Sequence, residues 1–247
     1  MNLTKINIKE KEFHNKLHSS DGNRKESIFY RSIFNLYKDF HEYLEQNAKN
    51  KTILDYGCGT GSITEKVARL KPNKIVGIDI SEISINKASE KAKKLNLEIE
   101  YKVDNCEKSS FKSDTFDLIY GTGILHHLNL ELSIKEINRV LKKNGTMIFI
   151  EPLGTNPFIN LYRKLTPGSR SEDEHPFVWK DFNLLKKTCG ELNCKYYGFF
   201  TLVFFLFYKN PEKSLFFKIL TKLDNLIFKI KFLRFLAWST LIVGKKT

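Results

Sequence analysis

Cysteine, proline, arginine and long uncharged apolar stretches are all scarce in this chain of 247 residues. The four cysteines (Cys58, Cys106, Cys189 and Cys194) form no CxxC pair, which speaks against a structural zinc site. So few in so long a chain also argue against a secreted disulfide scaffold and suit a reducing cytosol. Six prolines and thirteen glycines are too few for a collagen-like or low-complexity protein. Ahead of the C-terminal region, the longest strongly apolar run free of charge is Tyr196–Tyr208, thirteen residues, against roughly 20 for a membrane-spanning helix. The opening MNLTKINIKEKEF has no apolar core of a secretory signal. These absences predict a cytoplasmic protein, with peripheral membrane contact as the alternative.

What is present reads as globular. Hydrophobic residues make up 41% and charged residues 28%, ordinary values for a folded domain, and the length allows one large domain or two small ones. The formal charge is +13, carried by 34 lysines and seven arginines. Such a charge invites an anionic partner: nucleic acid, an anionic membrane or an acidic substrate. Phosphate forks favour arginine, however, and the excess of lysine comes with abundant Asn, Ile and Phe. Composition bias is therefore the weightier explanation, and a nucleic-acid partner is not expected.

Residues 1–50 read as a helical N-terminal cap, with apolar residues from Ile28 to Leu44 at i+3/i+4 spacing. From 51 the pattern becomes alternating. Strands are expected at Lys51–Tyr56, Lys74–Ile80, Ile99–Val103, Phe116–Tyr120 and Thr146–Ile150. Helices are expected at Ser62–Leu70, from an N-cap at Ser81 to Leu95, and at Glu131–Leu141, the last ended by an Asn144-Gly145 turn. Such alternation predicts βαβ units, a parallel sheet with helices on both faces, and a ligand at the carboxyl ends of the strands. Residues 152–180 carry four prolines and mixed charge and read as a long lid with a helical turn at Asn160–Leu165. A helix at Lys180–Glu191, a strand at Lys195–Phe207, a helix at Ser214–Phe235 and a strand at Ala237–Gly244 complete a domain of 51–247.

The residues just after each strand carry the chemistry. Ile53-Leu54-Asp55-Tyr56-Gly57-Cys58-Gly59-Thr60-Gly61 sets an acid at a strand end before alternating glycines, which let a ligand approach the backbone. The spacing is neither the dinucleotide fingerprint nor a P-loop, and the acid suits a cationic ligand. Asp79 closes the second strand, where a carboxylate can accept both hydroxyls of a ribose. Asp104-Asn105 follows the third strand, placed for an adenine edge, and Thr122 to His127 follow the fourth.

Together, LDYGCGTG, GIDIS, VDNCEKSSF, FDLIYGTGILHHL and INRVLKKNGTMIFIEP resemble the class I S-adenosylmethionine-dependent methyltransferases, in particular the ubiquinone/menaquinone-type (methyltransferase type 11) group. The resemblance spans Thr52–Pro152. It implies a Rossmann-like, seven-stranded, mostly parallel sheet with an antiparallel C-terminal hairpin from 195–207 and 237–244. It implies S-adenosylmethionine as methyl donor and S-adenosylhomocysteine as product. It assigns Asp55, Gly57, Gly59, Thr60 and Gly61 to the methionine part, Asp79 with Ile80 to the ribose, Asp104 and Asn105 to the adenine, and Thr122 to the sulfonium end.

The donor already carries an activated methyl group, so the protein must align an acceptor, exclude water and, for an alcohol, supply a base. The candidates are His126, His127 and His175; the first two are equally open to a capping or packing role and the third to a solvated loop position, and placement in the lid makes His175 the preferred base. No [ND]PP[YF] follows the fourth strand and no DxD pair stands out, so base-amino methylation and a metal are not expected. Tyr30, Phe34, Tyr37 and Tyr162 are candidate walls for the acceptor. Arg163 and Arg170 are either its anion readers or partners of Glu172–Glu174. The expected reaction is transfer to a small-molecule, lipid-linked or sugar acceptor at oxygen. N- or C-methylation, a quinone ring included, RNA or protein substrates, and a non-catalytic cofactor binder are the alternatives.

Within 214–235, Leu215, Phe216, Ile219, Leu220, Leu223, Leu226, Ile227 and Ile230 form one stripe beside Lys218, Lys222, Asn225 and Lys229. Exposing it would forfeit roughly 1.5–3 kcal/mol per large side chain. Packing against the chain's own sheet or forming a wall of the substrate site is the leading expectation, a homodimer interface the next, and an anionic lipid surface the third.

Overall fold

The computed structural model describes residues 3–19, 28–166, 174–206 and 210–247. Two helices come first, α1 (Lys5–Ser19) and α2 (Phe34–Asn47). Then β1 (Thr52–Tyr56), α3 (Ser62–Ala68), β2 (Lys74–Asp79), α4 (Glu82–Lys94), β3 (Glu100–Val103), β4 (Phe116–Thr122), α5 (Leu130–Val140) and β5 (Leu141–Pro152) follow in strict alternation except at β3–β4. The remainder is α6 (Pro157–Leu165), α7 (Trp179–Thr188), β6 (Glu191–Tyr197), α8 (Leu215–Ile227) and β7 (Ser239–Lys245).

The seven strands lie in the order β3-β2-β1-β4-β5-β7-β6, with β7 antiparallel between β5 and β6. The chain steps outward from β1 to β3 and then restarts at β4, on the other side of β1. That reversal parts the loops leaving β1 and β4 and opens a crevice at their carboxyl ends. The sheet is thus the Rossmann-like, mostly parallel one expected.

Side-chain alternation divides the core in two. Ile53, Tyr120 and Ile148 point to one face, where Leu36, Phe40 and Leu44 of α2 cover them. Leu54, Ile119 and Phe149 point to the other, under Ile134 and Ile137 of α5 and Phe182 and Leu185 of α7. The described parts of residues 1–50 pack in two places. α2 belongs to the sheet's own core, whereas α1 lies along α4, where Lys11 pairs with Glu82 at 2.8 Å and Ser81 Oγ donates to Asn15 at 2.6 Å.

Local expectations meet four departures. The Asn144-Gly145 turn does not separate helix from strand: α5 passes straight into β5, and Asn144 (φ 62°) sits in a bulge that shifts the register against β4. The lid helix starts three residues earlier than expected, because Asn156 caps it through the Phe158 and Ile159 amides with Pro157 in its first turn. The strand expected to reach Phe207 stops at Tyr197. Gly198 adopts φ 83°, and the buried Asp224 carboxylate accepts the Phe199, Phe200 and Thr201 amides, winding Phe200–Leu206 into a 3-10 helix. The helix expected to Phe235 ends at Ile227 and resumes as a 3-10 turn at Lys231–Leu236 after Ile230 turns extended.

The apolar stripe of 214–235 also departs from its leading expectation. α8 buries Phe217, Leu220 and Asp224 against the 3-10 helix at Phe200–Leu206 and leaves Leu215, Ile219, Leu223 and Leu226 exposed, as is Ile230 beyond its end. Asp224 decides this: a carboxylate that must reach three amides turns the helix about its axis.

Candidate active site

β1 ends in Asp55, which is buried and accepts two hydrogen bonds on Oδ2, from Thr64 Oγ1 at 2.7 Å and Tyr120 hydroxyl at 2.9 Å. Burial pushes its pKa up to about 7, against these two hydrogen bonds and with some help from Asp79. The chain then turns through Gly57, Gly59 and Gly61, all at positive φ. The Gly57 and Cys58 amides return to the Ile78 carbonyl at 3.0 and 2.8 Å, docking the loop on β2. At Gly61 a β-carbon would strike the Tyr101 hydroxyl, whereas beside Gly59 the space is open.

Asp79 braces the loop from the end of β2. Its Oδ2 accepts the Gly59 amide at 2.9 Å and its Oδ1 the Ser81 amide at 2.8 Å. Ile80 follows it, half-buried, and Ser81 caps α4 through the Ser84 amide. After β3, Asp104 and Asn105 are buried in a turn of their own making. Asp104 accepts the Asn105 amide and both the amide and hydroxyl of Ser110; Asn105 Oδ1 accepts the Glu107 amide. Burial pushes the Asp104 pKa up, but the hydrogen bonds from Ser110 and Asn105 and the nearby Lys102 outweigh it, so the carboxyl lies below its usual range. Thr60 and Thr122 are half-buried at the ends of the loops leaving β1 and β4.

The histidines form a second constellation across the crevice. β5 ends in Glu151, fully buried, whose carboxylate accepts the Leu125 amide at 2.8 Å and meets His126 Nδ1 at 2.7 Å. His126 Nε2 meets Glu174, from the far end of the lid, at 3.1 Å. Burial alone would lower the His126 pKa; the two carboxylates reverse that and raise it to about 9. His127 stacks on His126 with ring centroids 4.1 Å apart, its Nδ1 3.3 Å from Glu10 of α1 and its Nε2 3.7 Å from Glu174. The donor atoms of His126, His127 and Glu174 all lie within 4.8 Å of one another, close enough to share a proton or a cation.

His175 is exposed, and its amide donates to the His126 carbonyl at 3.0 Å. The lid residue that reaches the histidines is the neighbour, Glu174. Tyr30 stacks on Trp238 at 5.7 Å and on Tyr37 at 6.3 Å, and Phe34 packs on the Phe204–Phe217 cluster, all toward β6 and β7. Tyr162 is exposed on α6, and Arg163 Nη1 donates to Leu153 carbonyl and Asn160 Oδ1 within the lid. Arg170 lies outside the described residues. Sequence reading missed Glu10, Glu151 and Glu174 as members of the site. Only Glu151 carried a local signal, an acid at a strand end like Asp55 and Asp79.

A glycine loop after β1, an acid after β2 and a crevice at the β1/β4 reversal define a methyltransferase-type Rossmann site. A family model described as a methyltransferase domain matches residues 47–194, more than half of the chain, and the chain belongs to that family. Among curated relatives, the ubiquinone biosynthesis O-methyltransferase of Pelagibacter ubique is 41% identical over 115 residues, 46% of this chain and 47% of that protein. The sterol 24-C-methyltransferase of Saccharomyces cerevisiae is 32% identical over 109 residues, 43% of this chain and 28% of that protein. The chain spans about half the length of the first of these and less of the second. A geranyl diphosphate C-methyltransferase from Streptomyces coelicolor, solved with Mg2+, geranyl diphosphate and S-adenosyl-L-homocysteine, shares the fold at a TM-score of 0.65 and 14% identity, covering 100% of both chains. The N-methyltransferase NodS of Bradyrhizobium japonicum shares it at 0.64 and 13%, covering 96% of this chain and 97% of that one.

Proposed function

We propose that this protein transfers a methyl group from S-adenosylmethionine to a hydrophobic small-molecule, lipid-linked or sugar acceptor, at oxygen. The observation that carries the reading is the pair of carboxylates, Asp55 and Asp79, flanking a glycine loop with open space beside Gly59. A carboxylate offers about four lone-pair sites, and Asp79 spends only two of them on the Gly59 and Ser81 amides. The remainder suit a vicinal diol. Asp55, buried and balanced between charged and neutral, suits the neighbourhood of a cation.

When bound, the donor supplies a methyl group activated by a sulfonium. The chain's own residues do the rest. The glycine loop and Asp55 hold the amino-acid end, Asp79 and Ile80 the ribose, and the Asp104–Asn105 turn the adenine. Thr122 faces the same crevice from β4. His126, held as an imidazolium between Glu151 and Glu174, orients the lid and excludes water. His127, between Glu10 and Glu174, is the residue in this reading that takes a proton from an acceptor hydroxyl. An amine or carbon acceptor is the second reading, favoured by the sterol and geranyl diphosphate relatives rather than by the site.

Four free thiols support a cytoplasmic setting. Among the described residues no helix is long and apolar enough to cross a membrane. The test is calorimetric titration with S-adenosylmethionine and S-adenosylhomocysteine, followed by transfer of a labelled methyl group to a panel of phenols, quinols and glycolipids. Micromolar binding with label in a phenolic or sugar ether supports the reading; absence of binding by either ligand overturns it.

A further inference from the structure

We propose that α8 and the turn after it form a docking face for an anionic lipid surface. The exposed side of α8 has two parallel rows. Leu215, Ile219, Leu223 and Leu226 make the first, at 39–73% exposure, and beyond the helix Ile230 and Phe232 are exposed at 55% and 78%. Lys218 and Lys222 make the second, exposed and about 60° further round the helix at 3.6 residues per turn, with Lys229 exposed just beyond its end. A row of large apolar side chains beside a row of lysines is the pattern of a helix lying in a bilayer interface, apolar row inward and lysines at the headgroups. At thirteen residues the helix is roughly 20 Å long, enough to lie on a membrane and too short to span one.

Charge selects this occupant over others. From Lys213 to Thr247 the chain has eight basic residues and one acid, Asp224, and that acid is buried against the 199–201 amides. A second copy of the chain, its α8 packed antiparallel on this one about a two-fold axis, would set lysine row against lysine row with no exposed acid between Lys213 and Thr247 to answer it. An anionic bilayer answers it everywhere.

The face also has an extension. Asn156 and Thr155, at the start of α6, donate to the carbonyls of Leu236 and Phe235, the latter at 3.0 Å. α6 carries its own exposed apolar residues, Phe158, Leu161 and Leu165, with Lys164 among them. The start of α6 is thus tied to the 3-10 turn that follows α8.

The test is flotation of the full chain with vesicles of phosphatidylcholine alone and of phosphatidylcholine with phosphatidylglycerol, at low and high salt. Binding is expected to the anionic vesicles, at least tenfold stronger than to neutral ones and weakened by salt. A double variant, Leu223→Glu with Leu226→Glu, should lose it with its melting temperature unchanged, since neither side chain is buried. Lys218→Glu with Lys222→Glu should lose the anionic preference. No flotation with anionic vesicles, or flotation untouched by both variants, overturns the proposal. So does a dimer in light scattering that the leucine variant splits, which would assign the face to a second copy. Titration with S-adenosylmethionine is run on the same samples: the docking face stands or falls independently of donor binding.

Discussion

The two sides of the crevice are built differently. On the β1–β2 side every element of the site lies within thirty residues of sequence: Asp55, the glycine loop, Asp79 and Ser81 brace one another through backbone amides. On the β5–β7 side the same depth of site is assembled from distant pieces. His126 comes from the turn after β4, Glu151 from the end of β5, Glu174 from the lid and Glu10 from the N-terminal helix, while Asp224 reaches back to 199–201. The first side is a local motif that can be carried unchanged onto any acceptor chemistry. The second is held by charge across long sequence separations, and its shape depends on each of those contacts.

Asp79→Ala should have the largest effect, because it strikes the local side at its brace. Loss of the carboxylate removes both the diol acceptor and the partner of two amides, and donor affinity should fall on the order of a thousandfold, about 4 kcal/mol, in calorimetry. Retention of micromolar binding would erase the contrast. Next comes His126→Ala, which leaves Glu151 and Glu174 facing each other without their cation; stability at neutral pH should fall by about 3 kcal/mol in chemical denaturation. The folded pKa lies above the ordinary histidine value of 6.5, at about 9, so this contribution is complete below about pH 6.5 and is lost as pH rises through 9. Wild type and variant should therefore converge in alkaline buffer, and parallel curves up to pH 10 would count against the charged latch.

Asp224→Ala orphans the amides at 199–201 and should cost about 2 kcal/mol of stability while leaving donor affinity unchanged, which separates the two sides in one variant. Asp55 supplies a smaller, pH-borne effect. With its pKa raised to about 7, a cationic donor should bind about tenfold more weakly at pH 6 than at pH 8. A flat profile for S-adenosylmethionine would show that the carboxyl does not sense the ligand. Smallest of all, His175→Ala should change stability and donor affinity by less than twofold, since its side chain is exposed and the amide bond to His126 survives the substitution.

The same contrast explains what could be read in the sequence. Asp55, Gly57, Gly59, Gly61 and Asp79 announce themselves because a local turn needs those residue types at that spacing. The β-alternation fixed both core faces, as Ile53 and Leu54 show by pointing to opposite sides. His126 and His127 were visible as side chains, but their meaning was not, because Glu151 and Glu174 are 25 and 48 residues away from His126. The outward rotation of α8 was hidden for a related reason. Periodicity reveals that a stripe exists, and only Asp224's three distant amides decide which way it faces.

Cys58 gives the loop a reporter of its own. The thiol sits between Gly57 and Gly59, where burial first, and then the charges of Asp55 and Asp79, push its pKa well above the usual thiol range. Such a thiol reacts slowly with alkylating reagents. A cation arriving between the same two carboxylates would cancel part of their field and draw the proton off. The alkylation rate at mildly alkaline pH then becomes a gauge of incoming positive charge: a neutral ligand of the same shape can only shield the sulfur, while a charged one also activates it.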